Sequence, residues 1–225
     1  MKKTLILIAL AVGLAACGDF YTFNEEPDDW KDVTMRAQCD GAYVMVGDTM
    51  PLVVKFEPRK PNDYPVFWLS SDTVHSRIIS DSLVGRRAGN VDLVVFGGGG
   101  RLVDSCRVHV IERWEKADFH IQQPSDMVIY ADVTVNGKPW DDKTQILGAF
   151  VGGELTGLAV PREAFGIPYA ELRIWAPTNQ GQGKIDLRCY DRENFRLYVL
   201  RDDIEYDAYQ TLGTLSNLYP IKFER

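Results

Sequence analysis

Histidine is scarce in this chain, with 3 residues in 225. His75, His109 and His120 stand in no zinc-type spacing with cysteine or carboxylate, so little is left for histidine-based metal or acid–base chemistry. Basic charge is also short. The 25 Lys and Arg face 32 Asp and Glu, for a formal charge of −7. A surface of that sign does not displace counterions from phosphates, which excludes nucleic acid and peripheral binding to anionic lipid. The four glycines at 97–100 lack the following lysine and helix of a phosphate loop. No stretch carries a sustained 3.6-residue apolar period, so a helical bundle is excluded. No apolar run reaches the length of a spanning helix. With 45% hydrophobic and 25% charged residues, a disordered chain is excluded too.

What is present begins with a leader. Lys2 and Lys3 precede a short apolar stretch at 5–14, followed by Leu14-Ala15-Ala16-Cys17. This reads as a secretory signal over 1–16. Its end resembles the bacterial lipobox, which implies lipid attachment at Cys17 and cleavage before it. At ~0.8 kcal/mol per buried CH₂, several acyl chains would anchor the protein stably to a membrane. Loss of Lys2 and Lys3 with the leader takes the formal charge to −9. Residues 17–32 form an acidic tether carrying Asp19, Glu25, Glu26, Asp28 and Asp29. It has no periodicity and reads as an extended, solvated linker. Acidic residues soon after the lipidated cysteine resemble surface-export signals of some Gram-negative lipoproteins. The implied location is the outer membrane, facing the cell surface.

Short alternating runs then recur between Gly, Pro, Asn and Asp. They predict an all-β protein with two β-sandwich domains in tandem, at 33–112 and 126–225, joined by a linker at 113–125. In the first, strands are read around 44–58, 66–74, 91–96 and 102–111. Val46-Gly47-Asp48-Thr49, Trp68 with Ser70-Ser71-Asp72, Ala88-Gly89 and the closing stretch from Cys106 to Val110 occur in order. Together they resemble a bacterial Ig-like domain of group 2. That resemblance implies that Trp68 fills the core and that the first strand can run beside the last. Export places the chain in an oxidising compartment. Cys106 is in phase with Val108 and Val110, and Cys39 with Ala37 and Met35. A Cys39–Cys106 disulfide and two buried thiols both fit. Ser70, Ser71 and Asp72 read as a side-chain-capped turn, and nothing in the sequence orients His75 toward a serine.

In the second unit, Met127, Ile129, Ala131, Val133 and Val135 alternate with Val128, Tyr130, Asp132 and Thr134, predicting a half-buried strand. Asn136-Gly137 predicts a tight hairpin. Further strands are read at 146–151, 154–160, 171–175, 184–190, 195–200, 209–215 and 219–223. Leu147-Gly148-Ala149-Phe150, Gly157-Leu158-Ala159 and the stretch from Lys184 to Asp191 resemble a β-sandwich module of Gram-negative surface proteins. Cys189 reads as a buried free thiol, and Trp114 as packing between the two units.

No catalytic residues, metal ligands or cofactors are expected. The candidate ligand contacts are aromatic. Trp140 lies in a loop beside Asp141 and Asp142. Trp175 precedes an amide-rich loop with Asn179 and Gln180. Sugar-binding sandwiches set such rings against a pyranose and grip its hydroxyls with carboxylates and amides. The functional expectation is a non-catalytic, lipid-anchored envelope protein acting in adhesion or glycan binding. The alternative is a structural or accessory subunit of a larger outer-membrane or surface-fibre complex.

Overall fold

The computed structural model describes residues 32–59, 65–115, 126–175, 183–200 and 204–224. Among these residues the chain is all-β, and two β-sandwiches follow one another. The first is built from β1 (Thr34–Ala37), β2 (Ala42–Met45), β3 (Thr49–Pro51), β4 (Val54–Glu57), β5 (Phe67–Ser70), β6 (Ser76–Ile79), β7 (Ser82–Gly85), β8 (Gly89–Gly97) and β9 (Leu102–Ile111). One sheet has the order β2-β9-β8-β5, a second β3-β7-β6, and β1 pairs with β4. The period-2 pattern of β8 and β9 drives the packing. Val91, Leu93, Val95, Cys106, Val108 and Val110 turn inward and meet Val44, Met50, Trp68 and Leu83.

Two local readings change here. The strand beside β9 is β2, in parallel register with Ala42 opposite Val108, whereas β1 runs against β4. Cys39 lies in the turn between β1 and β2. It is joined to Cys106 across a Cα–Cα distance of 5.7 Å. The β6–β7 hairpin has no counterpart in the sequence reading. Its two-residue turn is Ser80-Asp81, both at positive φ (43° and 58°) without a glycine to announce it.

The second sandwich comprises β10 (Met127–Val135), β11 (Lys138–Pro139), β12 (Gln145–Val151), β13 (Glu154–Ala164), β14 (Ile167–Ile174), β15 (Lys184–Asp191), β16 (Arg196–Val199), β17 (Ile204–Glu205), β18 (Thr211–Leu212) and β19 (Tyr219–Phe223). These ten strands form one continuous sheet folded over on itself. β13 turns the corner: residues 154–158 pair with β12, and residues 159–164 pair with β14. Gly157 stands at that corner, where a Cβ would run into the Arg173 carbonyl. The fold encloses Met127, Ile129, Leu147, Leu172, Ile174, Leu187, Cys189, Ile221 and Phe223 in one core. Burial, with a smaller contribution from Asp191, pushes the Cys189 thiol up to about 12, so it stays protonated and unreactive near neutrality.

The two sandwiches meet over a third apolar cluster of Met45, Trp114, Phe150 and Tyr190, flanked by Tyr43, Ile111, Ile146, Leu155 and Leu197. Trp114 lies edge-on to Phe150 and Tyr190, with ring centroids at 5.2 and 6.4 Å. Gly148 makes room for it, since a Cβ there would stand 3.3 Å from the indole. The Tyr43 amide donates to Phe195 O at 2.9 Å, and the Tyr190 hydroxyl donates to Tyr43 O at 3.4 Å. Asp48 sits 3.5 Å from both Arg113 and Arg192. The layer containing β12, β15 and β16 lies on the core with its inner face, and around Ile146, Phe150, Tyr190 and Leu197 its outer face lies under the first sandwich.

Candidate functional site

Among the described residues, the other layer of the second sandwich keeps an open outer face, and the strand registers assemble a group of polar and aromatic side chains on it. β10 lies between β14 on one side and β18 and β19 on the other. Tyr130 stands opposite Glu171, Val160 opposite Glu171 on the far side, and Arg162 opposite Tyr169. All of these point away from the core, out of phase with buried Ile129, Ala131, Ala170 and Leu172. Tyr130 and Tyr169 pack edge-on with centroids 5.8 Å apart. Glu171 is 9% exposed and is held between two arginines. Arg173 Nε donates to Oε1 at 2.7 Å, and Arg162 Nε donates to Oε2 at 3.1 Å. Burying that carboxylate without both partners would be costly, so the pair of arginines fixes it and is fixed by it.

Beyond Ala170 the β13–β14 hairpin leaves the sheet. β14 pairs with β10 only over residues 170–174, after which β11 takes the same side of β10. Residues 161–169 thus form a two-stranded arm. Its tip is the two-residue turn Phe165-Gly166, with φ of 54° and 76°. Phe165 is 93% exposed and Ile167 is 50% exposed. From Arg173 to Ile167 the face runs ~20 Å at ~3.3 Å per residue, the span of a short oligosaccharide. Phenylalanine is a poor residue for a left-handed position, where Asn is favoured. Phe165→Asn is expected to stabilise the fold by roughly 0.5–1 kcal/mol, read as a raised midpoint in urea unfolding. An unchanged or lowered midpoint would show that the ring has packing partners in solution.

The residues expected from sequence fall elsewhere. Cys17, Asn179 and Gln180 lie outside the described residues. Trp140 is half-buried against the second core, its amide donating to Val133 O at 2.9 Å. It occupies the side of β10 that β14 has left. Its indole Nε1 is buried without a hydrogen-bond partner. Asp141 turns back on its own loop: its carboxylate accepts from the Lys143 amide at 3.1 Å and from Thr144 Oγ1 at 3.2 Å. Asp142 is exposed. Trp175 is exposed at the end of β14, next to the start of β10. It therefore lies ~20 Å along β10 from Trp140, and the structure does not bring the two rings together.

The sequence reading gives His75 no orienting group, and the structure supplies one, Asp72, though among the described residues no serine. Asp72 Oδ2 lies 2.6 Å from His75 Nδ1. That bond and the Val74 amide hold the Asp72 carboxyl below its ordinary value. The far side of the ring packs on Gly89, where a Cβ would fall 2.9 Å from Nε2. Ser70 and Ser76 bond each other at 2.9 Å. The arrangement closes a turn, and among the described residues no serine is placed on the other ring nitrogen, as hydroxyl activation would need. Among the described residues, no three His, Cys, Asp or Glu side chains gather where a metal ion could be held.

No protein-family model matches the chain, and no curated protein matches it. Among solved structures, it is similar to surface layer protein SbsC domains 4–9 at 12% identity and a TM-score of 0.30, covering 81% of this chain and 31% of that one. It is similar to the three N-terminal domains of the bacteriophage RB49 outer capsid protein Hoc at 11% identity and a TM-score of 0.30, covering 85% and 71%. A Bacteroides ovatus protein, SGBP-B of a mixed-linkage glucan utilization locus, solved with a mixed-linkage heptasaccharide, matches at 16% identity and a TM-score of 0.23, covering 80% and 48%.

Proposed function

We propose that this chain is a non-catalytic protein of the cell envelope, lipid-anchored through Cys17 and displayed at the surface, that binds glycans with its second sandwich. The observation that supports this reading is the open outer face of β10, β13 and β14. Two tyrosines there flank a clamped Glu171–arginine triad, while the opposite layer is partly covered by the first sandwich. Tyrosine offers a ring face for sugar C–H groups and a hydroxyl for sugar oxygens, at little cost in side-chain freedom. The first sandwich and the tether then act as spacer and leash. Affinity electrophoresis of the full-length chain in detergent against a panel of polysaccharides tests the reading. Retention by at least one polysaccharide is expected, weakened roughly 10-fold or more in Tyr130→Ala and Tyr169→Ala. Retention unaltered in both variants would remove the face from the account.

The alternative, a structural or accessory subunit, draws on a different surface. Phe67, Phe96 and Val103 line up across β5, β8 and β9, with Phe67 61% and Val103 43% exposed. An apolar strip of this kind suits a protein partner. A stoichiometric partner that co-purifies from membranes and is lost in Phe67→Ser would favour that reading.

A further inference from the structure

The glycan-binding reading leaves the class of saccharide open, and the triad on the same face narrows it. Each guanidinium reaches Glu171 through Nε alone. The terminal nitrogens of Arg162 and Arg173 donate to no acceptor among the described residues, and the two side chains are 52% and 39% exposed. Two positive charges meet one negative charge, so the triad carries an excess of one positive charge on a chain whose formal charge is −7. Arg162 is held in the row of Tyr169, and Glu171 in the row of Tyr130. The planar donors and the aromatic rings therefore lie side by side. On the same face of β10, Asp132 follows two residues after Tyr130 and is exposed, so the face also carries one negative charge on β10, outside the triad on β13 and β14.

Resting on the glycan reading above, we propose that this face selects carboxylated saccharides: the uronate carboxylate is received by the terminal nitrogens of Arg162 and Arg173 while the sugar ring lies on Tyr130 or Tyr169. A guanidinium already fixed at Nε loses little freedom when its free edge takes a carboxylate, and its fork matches two carboxylate oxygens. Glu171 is a positioning residue in this arrangement. It holds both guanidinium groups by their Nε and touches no ligand.

Polygalacturonate and its fully methyl-esterified form share one backbone and differ only in the free carboxylate. Full-length protein in detergent is expected to bind the free acid roughly 10-fold or more tightly than the ester, with the difference shrinking as salt rises. Arg162→Gln should bring the free acid down to the level of the ester. Arg162→Lys, which keeps the charge but not the fork, should recover only part of the loss. Circular dichroism and the urea midpoint of each variant separate a lost contact from a lost fold. Equal binding of acid and ester, or binding of neutral polysaccharides alone, would overturn the carboxylate proposal and leave glycan binding standing. Binding to no saccharide of any kind would overturn both.

Discussion

Trp114→Ala is expected to destabilise the protein by about 3–5 kcal/mol and to split a single unfolding transition into two. The indole is 8% exposed and fills the gap between Met45 of β2 and the Phe150–Tyr190 pair of the second sandwich. Its neighbours cannot collapse into the space it vacates. Phe150 and Tyr190 are fixed on paired strands β12 and β15, and Met45 is fixed in the register of β2 against β9. What remains across the junction is its partly buried apolar rim, the Tyr43–Phe195 backbone bond, the Tyr190 hydroxyl bond to Tyr43 O, and the Asp48–Arg192 pair, which is partly exposed and worth little alone. Without the tryptophan, each core would report its own stability. Equilibrium urea unfolding followed by far-UV circular dichroism checks this. One coincident transition with a loss under about 1 kcal/mol would mean that the junction does not couple the sandwiches.

Removal of the Cys39–Cys106 link is the second large effect. The bond closes a loop with a sequence separation of 67 and ties the β1–β2 turn to the centre of β9. Loop-closure entropy for that span corresponds to about 4 kcal/mol, and natural disulfides in small exported domains typically contribute 2–5. A domain of this kind has about 5–15 kcal/mol in all, so the first sandwich should lose a large share of its margin. The double variant Cys39→Ala with Cys106→Ala should unfold at clearly lower urea, and reductant should shift the parent to about the same midpoint. Among the described residues the second core holds no disulfide for reductant to cleave, and burial keeps its free Cys189 thiol out of exchange. A parent protein indifferent to reductant would show that the pair contributes no constraint.

Much of the scaffold is legible in the chain, and the reasons are local. β10 alternates without a break from Met127 to Val135, and that alternation is the buried–exposed pattern observed. Asn136 and Gly137 take the positive φ their residue types favour, 49° and 74°. β9 and β19 begin and end where their apolar phase does. The β13–β14 arm was not legible. It carries Pro161 and Pro168, and its residues 161–169 have no core beneath them, so no period marks them as strand. The sequence reading therefore starts the strand at Glu171, one residue past the first buried position, Ala170, and the structure carries it back to Ile167.

The site was hidden for a related reason. Tyr130 appears in the sequence only as one outward position of an alternating strand, and Glu171 only as the first residue of another. Their adjacency depends on a register between residues 41 apart, set by the pairing of Met127 with Ile174. Nothing short-range encodes it. Tryptophan in a polar loop draws the eye more strongly, yet Trp140 turns its ring to the core and Asp141 completes its own turn. The loop composition reflects local closure there, and the face that stays open is written in the tyrosines and arginines of three strands.

Mapping a bound oligosaccharide by amide chemical shifts tests the central claim most directly. The account predicts perturbations concentrated in residues 128–132, 160–164 and 167–173, with the strands under the first sandwich unmoved. Perturbations centred instead on residues 146–150 and 186–190, or on the Phe67–Val103 strip, would contradict it.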